Sequence, residues 1–590
     1  MNFKNILLLP FIFLVGCELD YKDKDKVSTS TPTVASFELL DPNAAASNEF
    51  GSTTVTLANG NIVVASPFDD TVASNAGAVH LYNPFTKTVI ASFYGDDADD
   101  NIGLLYQGMS GSKFGIIALA NNNFVIASAN DDVNSVSNAG SVMLVNGATG
   151  AQIGTTLAGN TANDKLGMSS VTALGNNNFV IASMYDDDGA SVTDAGSVML
   201  INGATGVQIG TTLAGNAAYD QLGQSSVTAL GNNNFVIASR FDDDGTVSPS
   251  VVNAGSVMLI NGATGVQIGT TLVGNRENDC LGMSSVTALG NNNFVIASSS
   301  DDDGTTTVDA GSVMLINGAT GVQIGTTLVG DTAYDILGSS SVTALGNNNF
   351  VIASAYDDDG GGDAGSVMLI NGATGAQIGT TLVGDTALDN LGGTSVTALG
   401  NNNFVIASAN DDVNSVSNAG SVMLVNGATG AQIGTTLAGD TAQDKLGGSS
   451  VTALGNYNFV IASMNDDVNS VTDAGSVMLI NGATGVQIGT TLAGNTANDK
   501  LGMSSVTALG NNNFVIASRD DDVNGVTNAG SIRQIDTTGT QVSIIAGAAT
   551  NDMNSISVTN ASAHNFYVVS LSKFDNYSLT DSGFATVVAY

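Results

Sequence analysis

Short apolar runs alternate with glycine- and asparagine-rich clusters along most of the chain, and residues 164–213 show the pattern in full. Four runs carry β-prone residues, at 169–174, 179–183, 196–201 and 207–213. Asparagine and glycine tolerate positive φ, so the clusters between the runs predict tight turns. No run shows helical periodicity, and the pattern therefore predicts a unit of four antiparallel strands.

The unit recurs along the chain and is marked by the phrase Asn-Phe-Val-Ile-Ala-Ser. In the regular copies its aromatic residue stands at intervals of 54 to 59 residues. A period of this length is typical of β-propellers and similar arrays. Looser copies centre on Ile62 and Phe566, which makes ten units in all. The regular copies carry Phe124, Phe179, Phe235, Phe294, Phe350, Phe404, Phe459 and Phe514.

The polarity of the four runs fits a propeller blade. The second and third runs are almost continuously apolar, as a sheet needs when both of its faces are covered. The fourth run is more polar and suits an outer edge, whereas the small residues of the first suit the centre of a ring. Ig-like modules need about seven strands, and solenoid coils are usually shorter than this period. The predicted fold class is all-β, a β-propeller of about ten four-stranded blades.

The two ends of the array predict how the ring closes. The array starts on a segment, 34–37, that matches residues 89–93 in the fourth strand of the next unit. It stops on a third strand, at 583–590. The N-terminal strand can therefore complete the last blade and remove both exposed edges. Because propellers usually have about four to eight blades, two smaller propellers are the alternative.

Composition narrows the range of partners. The 590 residues include 53 Asp and Glu against 14 Lys and Arg, a formal net charge of −39. Such a charge repels phosphate backbones and anionic lipids, so we expect no nucleic-acid partner. With 43% hydrophobic residues the chain differs from disordered acidic polymers. The expected partner is neutral, cationic or bridged by a metal ion.

The first residues predict a targeting signal. A short cationic start and an apolar stretch lead to Leu14-Val15-Gly16-Cys17, the order of a bacterial lipoprotein signal. The apolar stretch is too short to span a bilayer as a permanent helix. We predict a signal peptide over 1–16, a lipidated Cys17 beginning a flexible tether over 17–33, and the propeller over 34–590. The expected location is the bacterial cell envelope, lipid-anchored, in the outer membrane or at the cell surface. The alternative is a plain secretory signal with a chance cysteine.

Short motifs recur in one register across the units. In the first unit Phe50-Gly51 opens the first strand, Ala65-Ser66-Pro67 follows the second, and 75–79 opens the third. Later units carry Leu166-Gly167 and Ile181-Ala182-Ser183 at the first two places. The unit resembles the FG-GAP repeat of integrin-α-type β-propellers, and this resemblance implies the propeller fold. The family's calcium loop is replaced here by Gly-Asn-Asn-Asn, so that metal site is not carried over.

Carboxylates cluster instead between the second and third strands. Adjacent carboxylates repel one another, and a hard divalent cation such as calcium relieves that repulsion. The alternative is a set of solvated turns whose Asp side chains cap backbone NH groups. The candidate calcium ligands are Asp186, Asp187, Asp188, Asp242, Asp243, Asp244, Asp301, Asp302, Asp303, Asp357, Asp358, Asp359, Asp520, Asp521 and Asp522. Related pairs stand at Asp69-Asp70, Asp131-Asp132, Asp411-Asp412 and Asp466-Asp467.

A second recurring acid stands two residues before the Leu-Gly or Ile-Gly pair. One acid per unit at a fixed place indicates a structural hydrogen bond to a turn. The predicted structural acids are Asp100, Asp164, Asp220, Asp279, Asp335, Asp389, Asp444 and Asp499.

Catalysis needs acids, bases and nucleophiles that converge at one place, whereas the regular units are close to interchangeable. The two histidines, His80 and His564, stand in divergent units, and no triad or phosphate-loop pattern is present. We expect no catalytic residues, and a lipid-anchored scaffold that binds or adheres to protein or glycan ligands, with calcium as its one candidate cofactor. One alternative is a glycosidase or lyase that uses carboxylates of the channel. The other is a structural or antigenic coat protein. In the enzyme alternative the residues that would orient an anionic substrate are Arg240, Arg276, Arg519 and Arg533.

Overall fold

The computed structural model describes residues 28–30, 36–108, 111–187, 192–243, 251–302, 308–553, 555–572 and 582–589. Regular structure in these ranges consists of β-strands and a short 3-10 helix, Ser562–His564. None of the described residues forms a helix with the length and apolarity that a bilayer crossing requires. The predicted signal peptide, Cys17 and all of the predicted tether except 28–30 lie outside the described residues.

Ten antiparallel sheets, which we number as blades 1 to 10, form the fold. Their innermost strands are Thr53–Thr56, Ile116–Ala118, Ser170–Ala173, Ser226–Ala229, Ser285–Ala288, Ser341–Ala344, Ser395–Ala398, Ser450–Ala453, Ser505–Ala508 and Ile556–Ala561. The second strands are Ile62–Ser66, Asn123–Ser128, Phe179–Ser183, Phe235–Ser239, Phe294–Ser298, Phe350–Ser354, Phe404–Ser408, Phe459–Ser463, Phe514–Ser518 and Phe566–Leu571. The third strands are Ala78–Asn83, Ser141–Asn146, Ser197–Ile201, Ser256–Ile260, Ser312–Ile316, Ser366–Ile370, Ser421–Val425, Ser476–Ile480, Ser531–Ile535 and Phe584–Ala589. The outermost strands are Thr88–Tyr94, Gln152–Ala158, Gln208–Ala214, Gln267–Val273, Gln323–Val329, Leu382–Val383, Gln432–Ala438, Gln487–Ala493, Gln541–Ala546 and Ser36–Leu39.

The blades close into one ring. Each innermost strand contacts the innermost strands of the two neighbouring blades. Thr53–Thr56 of blade 1 contacts both Ile116–Ala118 of blade 2 and Ile556–Ala561 of blade 10. Threonine side chains support these contacts: the Thr172 hydroxyl donates to the carbonyl of Val227, in the next blade, at 3.3 Å. The ten-bladed propeller is confirmed, and the alternative of two smaller propellers is wrong.

The N-terminal strand closes the ring. Ser36–Leu39 pairs antiparallel with Phe584–Ala589, and Phe37 stands opposite Val587. The Thr586 hydroxyl also donates to the carbonyl oxygen of Phe37 at 3.0 Å. Blade 10 is thus built from both ends of the array, as the match between those ends predicted.

The hydrophobic core lies between successive sheets. The second strand of each regular blade is buried along its whole length, because neighbouring blades cover both faces of the sheet. Phe235 of blade 4 packs against Val180 and Leu200 of blade 3. The same packing recurs at the other regular junctions. The core is therefore a circular series of similar clusters.

The tight turns follow from the asparagine and glycine clusters. Asn177, between the first two strands of blade 3, has φ 68°. Asn176 and Asn178 donate side-chain hydrogen bonds at 3.1 and 3.0 Å to the carbonyl oxygen of Gly262, in the next blade. A Cβ atom at Gly262 would clash with the carbonyl oxygen of Asn233, so the position requires glycine. These turns bind neighbouring blades together as well as reversing the chain.

Two pairings lie outside the regular pattern. The strands Leu104–Gly108 and Gly111–Phe114 form a hairpin between blades 1 and 2. Ser28–Ser30, from the predicted tether, pairs antiparallel with Gln541–Ala546 and adds a fifth strand to blade 9.

Candidate functional site

The up-and-down strand order places two kinds of loop on one face of the ring. The acidic loop joins the second and third strands of a blade, as 464–475 does in blade 8. The connector joins the outermost strand of one blade to the innermost strand of the next, as 439–449 does before blade 8. Acidic loops and connectors meet at the junction between two blades, and we call this surface the acidic face. The Asn- and Gly-rich turns lie on the opposite face.

Each regular connector holds one buried aspartate. In the connector before blade 8, Asp444 Oδ2 accepts the NH groups of Asp440 at 2.9 Å and Thr441 at 2.7 Å. Asp444 Oδ1 accepts the NH of Asp467, in the acidic loop, at 3.2 Å. The carboxylate therefore ties the connector to the loop. The predicted structural acids Asp100, Asp164, Asp220, Asp279, Asp335, Asp389, Asp444 and Asp499 all occupy this place and are at most 2% exposed.

The first two acids of a loop point in different directions. In blade 8 the second acid, Asp467, accepts the NH of Asp473 at 2.8 Å within its own loop. The first acid, Asp466, faces the junction and lies near Asp444. In blade 3 the equivalent first acid, Asp186, accepts a hydrogen bond from the hydroxyl of Ser197 at the start of the third strand. First acids are thus junction residues, and second acids stabilise the loop backbone.

The predicted calcium ligands sort along the same division. The first acids, which lie at junctions, are Asp186, Asp242, Asp301, Asp357 and, by alignment of the loops, Asp521. Second acids that accept a loop NH are Asp187, Asp243, Asp302, Asp358 and Asp522. Asp359 is exposed, and Asp520 pairs with Arg519 at 3.3 Å. The remaining candidates, Asp188, Asp244 and Asp303, lie outside the described residues. In the triple 357–359, Asp357 and Asp358 have different partners, and in 520–522 all three carboxylates have different partners.

Carboxylates converge instead across the junctions. Three junctions each place a connector acid, the buried acid and the first loop acid together, with one oxygen of each within 4.8 Å of the others. The clusters are Asp96, Asp100 and Asp131 before blade 2; Asp385, Asp389 and Asp411 before blade 7; and Asp440, Asp444 and Asp466 before blade 8. The first acids of these connectors were missed by the sequence analysis. Their signal is Gly-Asp after the outermost strand, where other units have Gly-Asn.

Burial and mutual repulsion oppose the ionisation of these groups. Burial raises the pKa of Asp466 to about 6, and the carboxylates of Asp444 and Asp440 add to the increase. The nearby Ser476 hydroxyl partly offsets the increase. Burial, with Asp100 and Asp96 nearby, likewise raises the pKa of Asp131 to about 6. A set of oxygen ligands in this state is one that a hard divalent cation stabilises.

Blade 9 supplies a cation from its own chain. Arg533, in its third strand, donates to Asp521 Oδ2 from Nη2 at 2.6 Å and from Nε at 3.1 Å. Asp521 follows Asp520 in that blade's loop and aligns with the first acids of the other loops. Burial raises the pKa of Asp521, and the nearby buried acid Asp499 adds to the increase. At this junction a guanidinium therefore occupies the place beside the loop acid. Methionine stands at the position of Arg533 in blades 2 to 8.

Arg240 and Cys280 also break the repeat symmetry. Arg240 lies over the ring of Phe241, 4.5 Å from its centroid. Cys280 is half-buried, and burial raises the pKa of its thiol. The ten innermost strands carry no Asp, Glu or His. The carboxylates of the molecule thus concentrate on the acidic face.

Comparison with known families gives one result. A family model described as a repeat of unknown function (DUF5650) matches eight consecutive segments that together span more than half of the chain. Each match runs from an innermost strand to the following connector or the start of the next blade. The matched residues are 56–103, 118–168, 173–224, 229–283, 288–339, 344–393, 398–448 and 453–503. No curated protein matches the chain.

Proposed function

The chain belongs to the DUF5650 repeat family, and we propose that it acts as a multivalent binding scaffold whose acidic face engages protein or glycan ligands. The observation that carries this proposal is the repetition of one acidic junction around a closed ring. Weak sites at fixed spacing on one rigid body bind jointly, and their combined affinity greatly exceeds that of one site. The resemblance of the units to FG-GAP repeats of integrin-α-type propellers agrees with an adhesive role.

The distribution of carboxylates favours binding over catalysis in the channel. A glycosidase needs two carboxyl groups that flank one scissile bond. The innermost strands offer Ser, Thr, Asn and apolar side chains instead. Channel threonines such as Thr228 and Thr287 donate their hydroxyls to carbonyls of the next blade, at 3.1 Å in both cases. We therefore propose a scaffold without enzymatic activity.

Calcium is the proposed cofactor of the acidic face. Three junctions offer three carboxylates each, and carboxylate oxygen is the ligand that calcium prefers. The guanidinium of Arg533 beside Asp521 supports the assignment, because it supplies positive charge at the corresponding place in blade 9. A calcium ion at a junction would link the connector to the acidic loop and retain positions for oxygen atoms of a ligand.

A position in the cell envelope fits this role. The proposed lipid at Cys17 would anchor the ring by its N-terminal segment and leave the acidic face available to ligands. With a formal net charge of −39, the expected ligands are neutral, cationic or bridged by calcium.

The test is binding by the full chain with and without calcium. Wild type and the triple variant D131N/D411N/D466N are titrated with calcium by calorimetry and applied to arrays of glycans and basic extracellular proteins. The control D97N/D99N/E277Q removes the same number of charges from exposed positions. We expect calcium uptake and calcium-dependent ligand retention by wild type and control, with both reduced at least tenfold in the triple variant. Failure of folded wild type to retain any ligand of the arrays would overturn the scaffold proposal, and absence of calcium uptake would overturn the calcium assignment.

A further inference from the structure

The junction between blades 10 and 1 differs in chemistry from every regular junction. Asn48 stands where regular connectors have their buried aspartate, two residues before the Phe50-Gly51 pair that opens the blade. In the third strand His80 replaces the methionine of blades 2 to 8. Ala78 replaces the serine that hydrogen-bonds the first loop acid, here Asp69. A further acid, Asp41, lies on the segment that follows the closing strand Ser36–Leu39.

These substitutions gather one histidine and two carboxylates. A ring nitrogen of His80 and one carboxylate oxygen each of Asp41 and Asp69 lie within 4.8 Å of one another. His80 is completely buried and Asp69 is 1% exposed. The Asn48 amide lies beside them and donates to Asp69 Oδ2 at 3.4 Å. The cluster thus offers nitrogen and oxygen ligands in a site whose histidine and one of whose two carboxylates are buried.

The histidine has an unused ring nitrogen. His80 Nδ1 is 2.8 Å from the Ser92 hydroxyl, whereas Nε2 has no hydrogen-bond partner among the described residues. The amide oxygen of Asn48 is likewise buried and unpartnered in this part of the chain. A buried polar atom without a partner destabilises the fold. The serine on Nδ1 holds the ring in the manner of the outer hydrogen bond that orients metal-bound histidines.

Among the described residues, no Lys or Arg forms an ion pair with Asp41 or Asp69. Burial raises the pKa of Asp41 to about 6, and the Asp69 carboxylate adds to the increase. Burial lowers the pKa of His80 to about 4. In blade 9 the residue equivalent to His80 is Arg533, whose guanidinium contacts the loop acid equivalent to Asp69. The same strand position that delivers a guanidinium in blade 9 delivers an imidazole in blade 1.

We propose that Asp41, Asp69 and His80 bind one divalent transition-metal ion of the zinc class and that this ion fastens the closure of the ring. Zinc accepts imidazole nitrogen at about 2.0–2.1 Å and carboxylate oxygen at about 2.0–2.2 Å. Ligand atoms at these distances lie about 3.4 Å apart around a tetrahedral ion, so the three atoms would need to approach one another by at most about 1.5 Å. Asp41 lies two residues after the closing strand and His80 lies in blade 1, so the ion would join the closing segment to the first blade. This inference is independent of the proposed ligand binding on the acidic face.

Zinc titration of the full chain tests the proposal. The protein is stripped with chelator, returned to millimolar calcium to occupy the acidic junctions, and titrated with zinc chloride by calorimetry. We expect one tight equivalent per chain and a zinc-dependent rise in melting temperature. Cobalt(II) in place of zinc should produce visible absorption bands, because a nitrogen ligand and low symmetry intensify them. Folded wild type that takes up no zinc under these conditions would overturn the proposal.

Two variants and one control identify the ligands. His80→Met carries the residue of seven other blades and should weaken zinc binding at least 100-fold while retaining the fold, which circular dichroism checks. Asp41→Asn alters a half-buried position and should weaken binding at least tenfold. His564→Met removes the other histidine, whose Nε2 lies 3.1 Å from the Ala58 carbonyl, and should leave zinc binding unchanged. Unchanged binding by His80→Met, or loss confined to His564→Met, would refute the assignment.

Discussion

Arg533 holds the buried carboxylate of Asp521 through two hydrogen bonds, from Nη2 at 2.6 Å and from Nε at 3.1 Å. The Ser531 hydroxyl donates to the same oxygen. Asp521 is completely buried, so the guanidinium is its only neutralising partner among the described residues. A buried charge that loses its partner is strongly destabilising. Removal of the guanidinium should therefore destabilise the acidic face.

Replacing Arg533 by methionine should destabilise the protein in chelator. We expect a loss of about 3–5 kcal/mol in the free energy of unfolding, because Asp521 stays buried without a counterion. Chemical denaturation in EDTA measures the change. The matched control is Arg519→Met, which removes a partly exposed ion pair with Asp520 and should change stability by less than about 1 kcal/mol. Equal losses in the two variants would contradict the special role of the buried pair.

Asp444→Asn should uncouple the connector from the acidic loop before blade 8. The amide retains one acceptor oxygen, whereas the carboxylate uses both oxygens, toward Thr441 on one side and Asp467 on the other. We expect a loss of about 1–3 kcal/mol and faster hydrogen exchange of the Asp467 amide. Asp359→Asn removes the same charge from an exposed loop position and serves as the control. An unprotected Asp467 amide in wild type would refute the contact.

Deleting residues 34–40 should open the ring. The deletion removes Leu39, which is 3% exposed, and leaves Phe584–Ala589 as an unpaired edge. Loss of one buried leucine alone costs about 2–5 kcal/mol, so a marked fall in melting temperature is expected in calorimetry. Deletion of 28–30 removes the fifth strand of blade 9 and should have a much smaller effect. Matching melts for the two deletions would argue against closure by the N-terminal strand.

Stability in chelator should fall as pH rises from about 4 to 7. Burial and then the carboxylate of Asp301 raise the pKa of Asp279 to about 6, and Asp131 and Asp466 reach similar values. A carboxyl group with a raised pKa in the folded state binds its proton more tightly there than in the unfolded chain. Its contribution is complete below the unfolded pKa, near 4, and is lost as pH passes through the folded pKa.

Melting curves at several pH values measure this dependence. Asp279→Asn should flatten it, since the amide does not titrate. Asp536 provides a control of opposite sign: burial raises its pKa slightly, but hydrogen bonds from Thr538 and Thr540 outweigh burial and lower the pKa. Asp536→Asn should therefore remove stability that wild type loses on acidification. A stability that rises with pH in chelator would contradict the prediction for the junction acids.

Much of the architecture was predictable because its signals are local. The four strands of blade 3 were predicted at 169–174, 179–183, 196–201 and 207–213, and each lies within one residue of the observed bounds. Apolar runs that bury both faces and asparagine turns that accept positive φ act over a few residues. Repetition then multiplied one short prediction into ten blades, and the matching ends indicated the closing strand.

The sites were less predictable because they depend on residues far apart in the chain. Adjacent acids suggest a cation site in the sequence. In the structure, however, Asp466 faces the junction and Asp467 binds within its own loop. Asp440 joins Asp466 only because two blades pack side by side. The first acid of each of these connectors was therefore missed, although Gly-Asp in place of Gly-Asn marks it.

The sequence by itself determined the repeating unit and the number of blades, because local strand and turn preferences add up over similar copies. It also indicated which strand closes the ring. Tertiary structure alone decided which charges meet. Asp41, Asp69 and His80 are separated along the chain and come within 4.8 Å only where the closing strand docks on blade 1. Ring closure sets that distance, since it packs the two ends of the array against each other, and no local pattern in the sequence encodes it.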